Sequence, residues 1–156
     1  MQQEIIMRSR IKIYLMCGLA AALATVFSIS STAQDEKPFA ENKFVLQISD
    51  MDPSKQTLVL NVASNIMKYY GQDQADVEIV AFGPGLRLLF EENANAGRIE
   101  GLTESGVRFA ACANTVANMS KILGHDPVLD EHAKVVPGGI VRIKELVDQG
   151  YTLVKP

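Results

Sequence analysis

From Lys43 to the end of the chain, short apolar runs alternate with segments whose apolar residues recur every three or four positions. The first pattern suits strands buried on both faces of a sheet, and the second suits helices that bury one side. Lys43 to Ser49 reads as a strand, and Asp50-Met-Asp-Pro-Ser-Lys55 supplies turn and helix-start chemistry. From Gln56 to Tyr70 the residues Leu58, Val62, Ile66 and Tyr69 share a helical spacing, and Gly71 closes the segment. Ala75 to Phe82 is a second strand ended by Gly83-Pro-Gly85, followed by short helical candidates at Leu86 to Glu91 and Ala96 to Ser105. Gly106 to Ala111 is a third strand, and Asn114 to Leu123 a helix. The stretch from Gly124 to Lys134 shows no clear period. Pro137-Gly-Gly then opens a helix from Ile140 to Gln149, with Ile140, Ile143, Leu146 and Val147 on one face, and Tyr151 to Val154 is a final strand.

Strands separated by helices need crossover connections. The expected fold is therefore a three-layer α/β/α domain of flavodoxin-like type with a mainly parallel sheet. Reactive groups in such sheets gather outside the carboxyl ends of the strands, where Asp50, Gly83-Pro-Gly85 and Cys112 all fall.

The N-terminus has a different character. Arg8, Arg10 and Lys12 precede an uncharged stretch from Ile13 to Ile29, and Ser31 and Ala33 occupy the −3 and −1 positions of a signal-peptidase site. Residues 1–33 are expected to be a cleaved signal, 34–42 a flexible leader and 43–156 the domain. The rival reading is a retained anchor, but the small-residue exit and the acidic Asp35-Glu36 favour cleavage, giving a periplasmic or secreted protein without a membrane segment. Removing Arg8, Arg10, Lys12 and Glu4 from 15 basic and 18 acidic residues leaves 12 and 17, a net charge of −5. That argues against nucleic acid or an anionic membrane as partner.

Processing would leave Cys112 as the single cysteine, since Cys17 lies within the signal. A lone thiol in an exported protein has no intramolecular disulfide partner, so it is either packed, intermolecularly paired or reactive. It sits in Gly106-Val-Arg-Phe-Ala-Ala-Cys112-Ala-Asn-Thr-Val116, where a strand pattern passes into a helical one. The unpaired N–H groups of a helix start favour an anion there. The backbone N–H groups of Ala113, Asn114 and Thr115 are the candidate donors; the side chains of Asn114 and Thr115 serve equally well, and more commonly, as helix caps. Arg108 shares the strand face of Cys112, but four residues of strand set them about 13 Å apart.

Other chemistry finds less support. His125 and His132, with Asp126, Asp130 and Glu131, match no dedicated metal-ligand spacing and read as a solvated loop. Gly83-Pro-Gly85 lacks the lysine and longer glycine pattern of a phosphate loop, and there is no Gly-x-Ser-x-Gly elbow. With no Trp, flavin stacking has little to build on. No metal or cofactor is expected.

The segment Val107-Arg-Phe-Ala-Ala-Cys112-Ala-Asn-Thr115, followed by Val135-Val-Pro-Gly-Gly-Ile-Val141 and the ending Gly150-Tyr-Thr-Leu-Val-Lys-Pro156, resembles the DsrE/DsrF-like family, and more closely its exported single-domain branch. The resemblance runs from Lys43 to Pro156. It implies a three-layer α/β fold and assembly into oligomers, for which a homotrimer is the first expectation. In catalytic members it implies a cysteine that holds sulfur as a persulfide in sulfur relay or oxidation, and Cys112 matches that cysteine's place. A sulfur donor and an acceptor are the implied partners. The family's sulfur-relay members are cytoplasmic, whereas this chain is expected to be exported. The alternative function is a non-catalytic binding or assembly module that keeps the fold, with Cys112 as a packed residue.

Overall fold

The computed structural model describes Lys37 and residues 39–156; the expected signal and residues 34–36 and 38 of the expected leader lie outside the described residues. Five strands form one all-parallel sheet in the order β4-β3-β2-β1-β5. They are β1 (Asn42–Ile48), β2 (Ala75–Ala81), β3 (Val107–Cys112), β4 (Ala133–Val136) and β5 (Thr152–Val154). The helices are α1 (Pro53–Tyr70), α2 (Ala96–Glu104), α3 (Ala113–Leu123) and α4 (Gly139–Asp148), with a 3-10 helix at Gly83–Leu89. The layering is the three-layer α/β/α arrangement of flavodoxin-like folds.

The order of the strands explains the two layers of helix. The chain steps outward from β1 to β4 and then returns across the sheet to place β5 beside β1. Right-handed crossovers put helices on one face while the chain moves one way and on the other when it reverses. The first face accordingly buries Val59, Leu60, Ala63 and Met67 of α1 and Ile99 and Leu102 of α2, with Leu86, Leu88 and Leu89, against Leu46, Val77, Ile79 and Phe109. On the second face Ile143 and Leu146 of α4 meet Val45, Val80, Ala110, Val136 and Tyr151.

Local chemistry sets the boundaries. Asp52 caps α1, accepting from the Ser54 N–H at 2.8 Å, with Pro53 opening the helix. Gly85 lets the 3-10 helix press on β1: a Cβ there would lie 2.5 Å from the Ile48 carbonyl oxygen.

Several sequence expectations need correction. α1 begins at Pro53 rather than Gln56, and its buried face is Gln56, Val59, Leu60, Ala63 and Met67. Leu58 and Tyr69 are exposed, and Val62 and Ile66 are half-buried. The short helix at Leu86 to Glu91 is instead the 3-10 helix that starts at Gly83. On α4, Ile143 and Leu146 are buried, whereas Ile140 and Val147 face out. The unpatterned stretch ends in a strand, β4, which pairs Val136 with Cys112. Within the supposed loose leader, Lys37 is tied down: its backbone N–H donates to Asp76 at 2.9 Å and its ammonium to the Gln72 carbonyl at 2.5 Å.

Candidate functional site

Cys112 ends β3 and is the N-cap residue of α3, with φ −69° and ψ 115°. Its side chain lies on the second face of the sheet, in line with Ala110 and Arg108, and it is 6% exposed. Burial alone would push the thiol up. Against it stand the Thr115 hydroxyl and the backbone N–H groups of Gly139, Thr115 and Asn114, and the balance leaves the thiol below its ordinary value. Cys112 makes no side-chain capping hydrogen bond, so the Asn114 and Thr115 N–H groups bear on the sulfur through the direction of their dipoles at the helix start.

Two helix starts therefore meet at one sulfur. Asn114 and Thr115 belong to the first turn of α3, whose residues follow Cys112 directly. Gly139 is the first residue of α4, which the β3–β4 pairing of Cys112 with Val136 brings alongside. Both starts offer N–H groups without helical partners and carry the positive end of a helix dipole. Gly139 lets the start of α4 press against the end of β2: a Cβ there would lie 3.0 Å from Phe82 atoms.

Thr115 is itself held in place. Its Oγ1 accepts from the Gly83 N–H at 2.9 Å, which leaves the hydroxyl proton to turn toward the sulfur. Gly83, at φ +53°, begins the turn after β2, so Gly83-Pro-Gly85 supports the thiol's donor instead of a phosphate. On the other side of Thr115 and Asn114 lies a groove of about 380 Å³, bounded by Met51, Pro84, Arg87, Asn118 and Met119.

The residues singled out from sequence are thus dispersed in role. Asn114 and Thr115 surround the sulfur; Ala113 opens α3 and is not among the main donors. Gly139 was missed, although Pro137-Gly-Gly was read as a helix start; only the pairing of β4 with β3 brings that start to the thiol. Asp50 is half-buried and engages Lys55 at 2.5 Å and the Asp52 N–H at 3.0 Å, a local turn at the start of α1. The Lys55 ammonium beside it holds its carboxyl below the ordinary range. His125 is exposed, the His132 N–H donates to Asp130, and among the described residues no His, Cys, Asp and Glu cluster has metal-binding geometry.

Arg108 does not serve the thiol. It belongs to a charged cluster farther along the same face, with Nη1 2.5 Å from Asp76, Nε 3.1 Å from Glu78 and Nη2 donating to the Tyr151 hydroxyl at 3.1 Å. Tyr151 donates in turn to Asp76 at 2.5 Å. Arg142 reaches Glu78 from α4 with Nε at 2.7 Å and Nη2 at 2.8 Å. Asp76 and Glu78 are buried, so each carboxylate needs these partners. Burial, with Asp76 beside it, drives the Tyr151 phenol far above its ordinary value.

Fold and site together define a class: a small α/β domain with an all-parallel sheet and, among the described residues, one cysteine, at the carboxyl end of β3 beside the edge strand β4. Among the described residues no helix is long and apolar enough to cross a membrane. No family model and no curated protein matches the chain. Among solved structures it is similar to the protein of unknown function MTH1491 from Methanobacterium thermoautotrophicum, at 28% identity and a TM-score of 0.66, over 74% of this chain and all of that one.

Proposed function

We propose that the protein is a sulfur carrier or sulfurtransferase that holds sulfur as a persulfide on Cys112, in sulfur relay or oxidation. The observation that carries this reading is the set of donors from two helix starts turned toward one buried thiol. A persulfide needs a nucleophilic thiolate and dipoles that favour a terminal anionic sulfur, and these donors suit both. The Cys112 thiolate attacks the outer sulfur of a donor such as thiosulfate. A new S–S bond forms on Cys112, the donor's S–S bond breaks, and sulfite leaves with the bonding pair. An acceptor thiolate then attacks the outer sulfur, and Cys112 departs as the thiolate. Neither step needs a metal or an outside oxidant.

Intact-mass measurement on the purified protein tests this directly. Exposure to thiosulfate or polysulfide should add one sulfur, about 32 Da, and Cys112→Ser should abolish the gain. The near-complete burial of Cys112 favours the second reading, a binding or assembly module with a packed cysteine. That reading takes over if no adduct forms with any donor and alkylation requires denaturation. Under either reading we propose export after cleavage at Ala33 and self-association, with a homotrimer as the first expectation.

A further inference from the structure

The buried charges on the second face and the thiol at its edge share one element. α4 begins beside Cys112, and one turn later its Arg142 N–H donates to the Gly138 carbonyl at 2.9 Å, closing the first turn. The Arg142 side chain grips Glu78 in the middle of β2 with two hydrogen bonds, at 2.7 and 2.8 Å. Glu78 is also held by Arg108, so the anchor is fixed on the sheet side too. A forked guanidinium on a buried carboxylate fixes both distance and orientation, which a single ammonium contact does not. We propose that the Glu78–Arg142 pair is a positioning clamp: it holds the first turn of α4 on the sheet so that the Gly139 N–H faces the Cys112 sulfur, and so sets how reactive that thiol is.

The inference rests on Cys112 acting as a thiolate and names the residues that tune it. Arg142 and Glu78 touch no reacting atom; they act through Gly139. Ile143 and Leu146 also pack α4 on the sheet, and the close fit at Gly139, where a Cβ would lie 3.0 Å from Phe82, limits how far the turn can shift, but neither supplies the direction of a forked ion pair. Charged groups facing this region include Asp76 and Glu78 on β2, Arg108 on β3, the exposed Lys134 on β4, and on α4 Arg142 with Glu145, whose carboxylate lies 3.7 Å from Arg142 Nη1. β1 adds Lys43, stacked near the Tyr151 ring at the far end.

A clamp and a simple field effect predict opposite signs. Arg142→Met removes a cation and Glu78→Gln removes an anion. If charge acted directly on the thiol, the first would raise its pKa and the second would lower it. If position is what matters, both raise it, because either change breaks the fork. The measurement is the pH dependence of iodoacetamide alkylation of Cys112 in the purified protein, with circular dichroism to establish that each variant is folded. Both variants should show a raised thiol pKa and about a tenfold smaller thiolate fraction at neutral pH. Arg142→Lys, which keeps the charge but not the fork, should fall between wild type and Arg142→Met and serves where the Met variant does not fold. Lys144→Ala, on the exposed side of the same helix, should match wild type. Opposite shifts in Arg142→Met and Glu78→Gln, unchanged pKa values in folded variants, or an equal shift in Lys144→Ala would overturn the clamp. If this pattern holds but wild type takes up no sulfur, the clamp stands and the persulfide reading falls.

Discussion

At the scale of the residue, the contest at Cys112 is between burial, which resists a thiolate, and oriented dipoles, which favour it. Thr115 is the side chain that decides it, because it is placed by Gly83 and aimed at the sulfur. Thr115→Val keeps the shape but removes the hydroxyl. The thiol pKa should rise toward its ordinary value and alkylation at pH 7 should slow by about tenfold, as for the loss of one hydrogen bond to a charged group. The same shift has a consequence for stability. A group whose pKa is lower folded than unfolded binds fewer protons in the folded state, so stability rises with pH between the two values. Wild type should therefore gain stability as pH rises from the lowered thiol pKa toward the ordinary one, and lose that increment as pH falls back through it. Urea titrations of wild type and Cys112→Ser across that window would read the difference, and equal slopes would contradict it.

At the scale of the element, the same charged cluster performs two separable jobs. Its Asp76–Tyr151 end ties β5 and the segment around Lys37 to β2, far along the face from the thiol. Tyr151→Phe removes one of three donors to Asp76, which keeps Arg108 and the Lys37 N–H, and one of the acceptors of Arg108, and should cost about 1 kcal/mol. For a domain of this size that lowers the melting temperature by several degrees. The Cys112 alkylation profile should stay as in wild type, in contrast to the Glu78 and Arg142 variants. A shifted profile in Tyr151→Phe would show that the two ends are not independent. Much of this organisation was legible in the sequence, and the exceptions have physical causes. Alternating strands and helices, the strand-to-helix place of Cys112 and the helix start at Pro137-Gly-Gly follow from local patterns. β4 escaped because it is a four-residue edge strand whose Lys134 and Val135 face solvent, so it has no buried run to display. The buried face of α1 was misplaced because it includes Gln56, bonded to Asn93 at 3.2 Å, and small Ala63, while bulky Tyr69 lies outside. The charged cluster could not be foreseen, since Asp76, Arg108, Arg142 and Tyr151 are joined only by strand order and the return of α4.

At the scale of the molecule, the uneven covering of the sheet bears on assembly. A cyclic trimer is heterologous: each subunit presents two different surfaces, one to each neighbour, whereas a two-fold dimer presents a single patch to itself. Among the described residues, two groups of exposed apolar side chains lie on or beside the helices that start at the thiol. Ile140, Val141 and Val147 line the outer side of α4, and Met51, Ile122 and Leu123 cluster around the end of α3 and the turn before α1. Grouped exposed apolar side chains on a small domain are the surfaces an assembly would cover. If the trimer proposed above joins one region to the other, a charge in either should break it. Val141→Asp and Ile122→Asp should each yield monomers by light scattering at micromolar concentration, and mixing the two should restore association, because each retains the surface the other has lost. An isologous dimer would behave differently: only one of the two substitutions would dissociate it, and mixing would restore nothing. A wild-type monomer would remove the assembly proposal altogether. It would leave the thiol chemistry untouched, since every donor around Cys112 comes from its own chain.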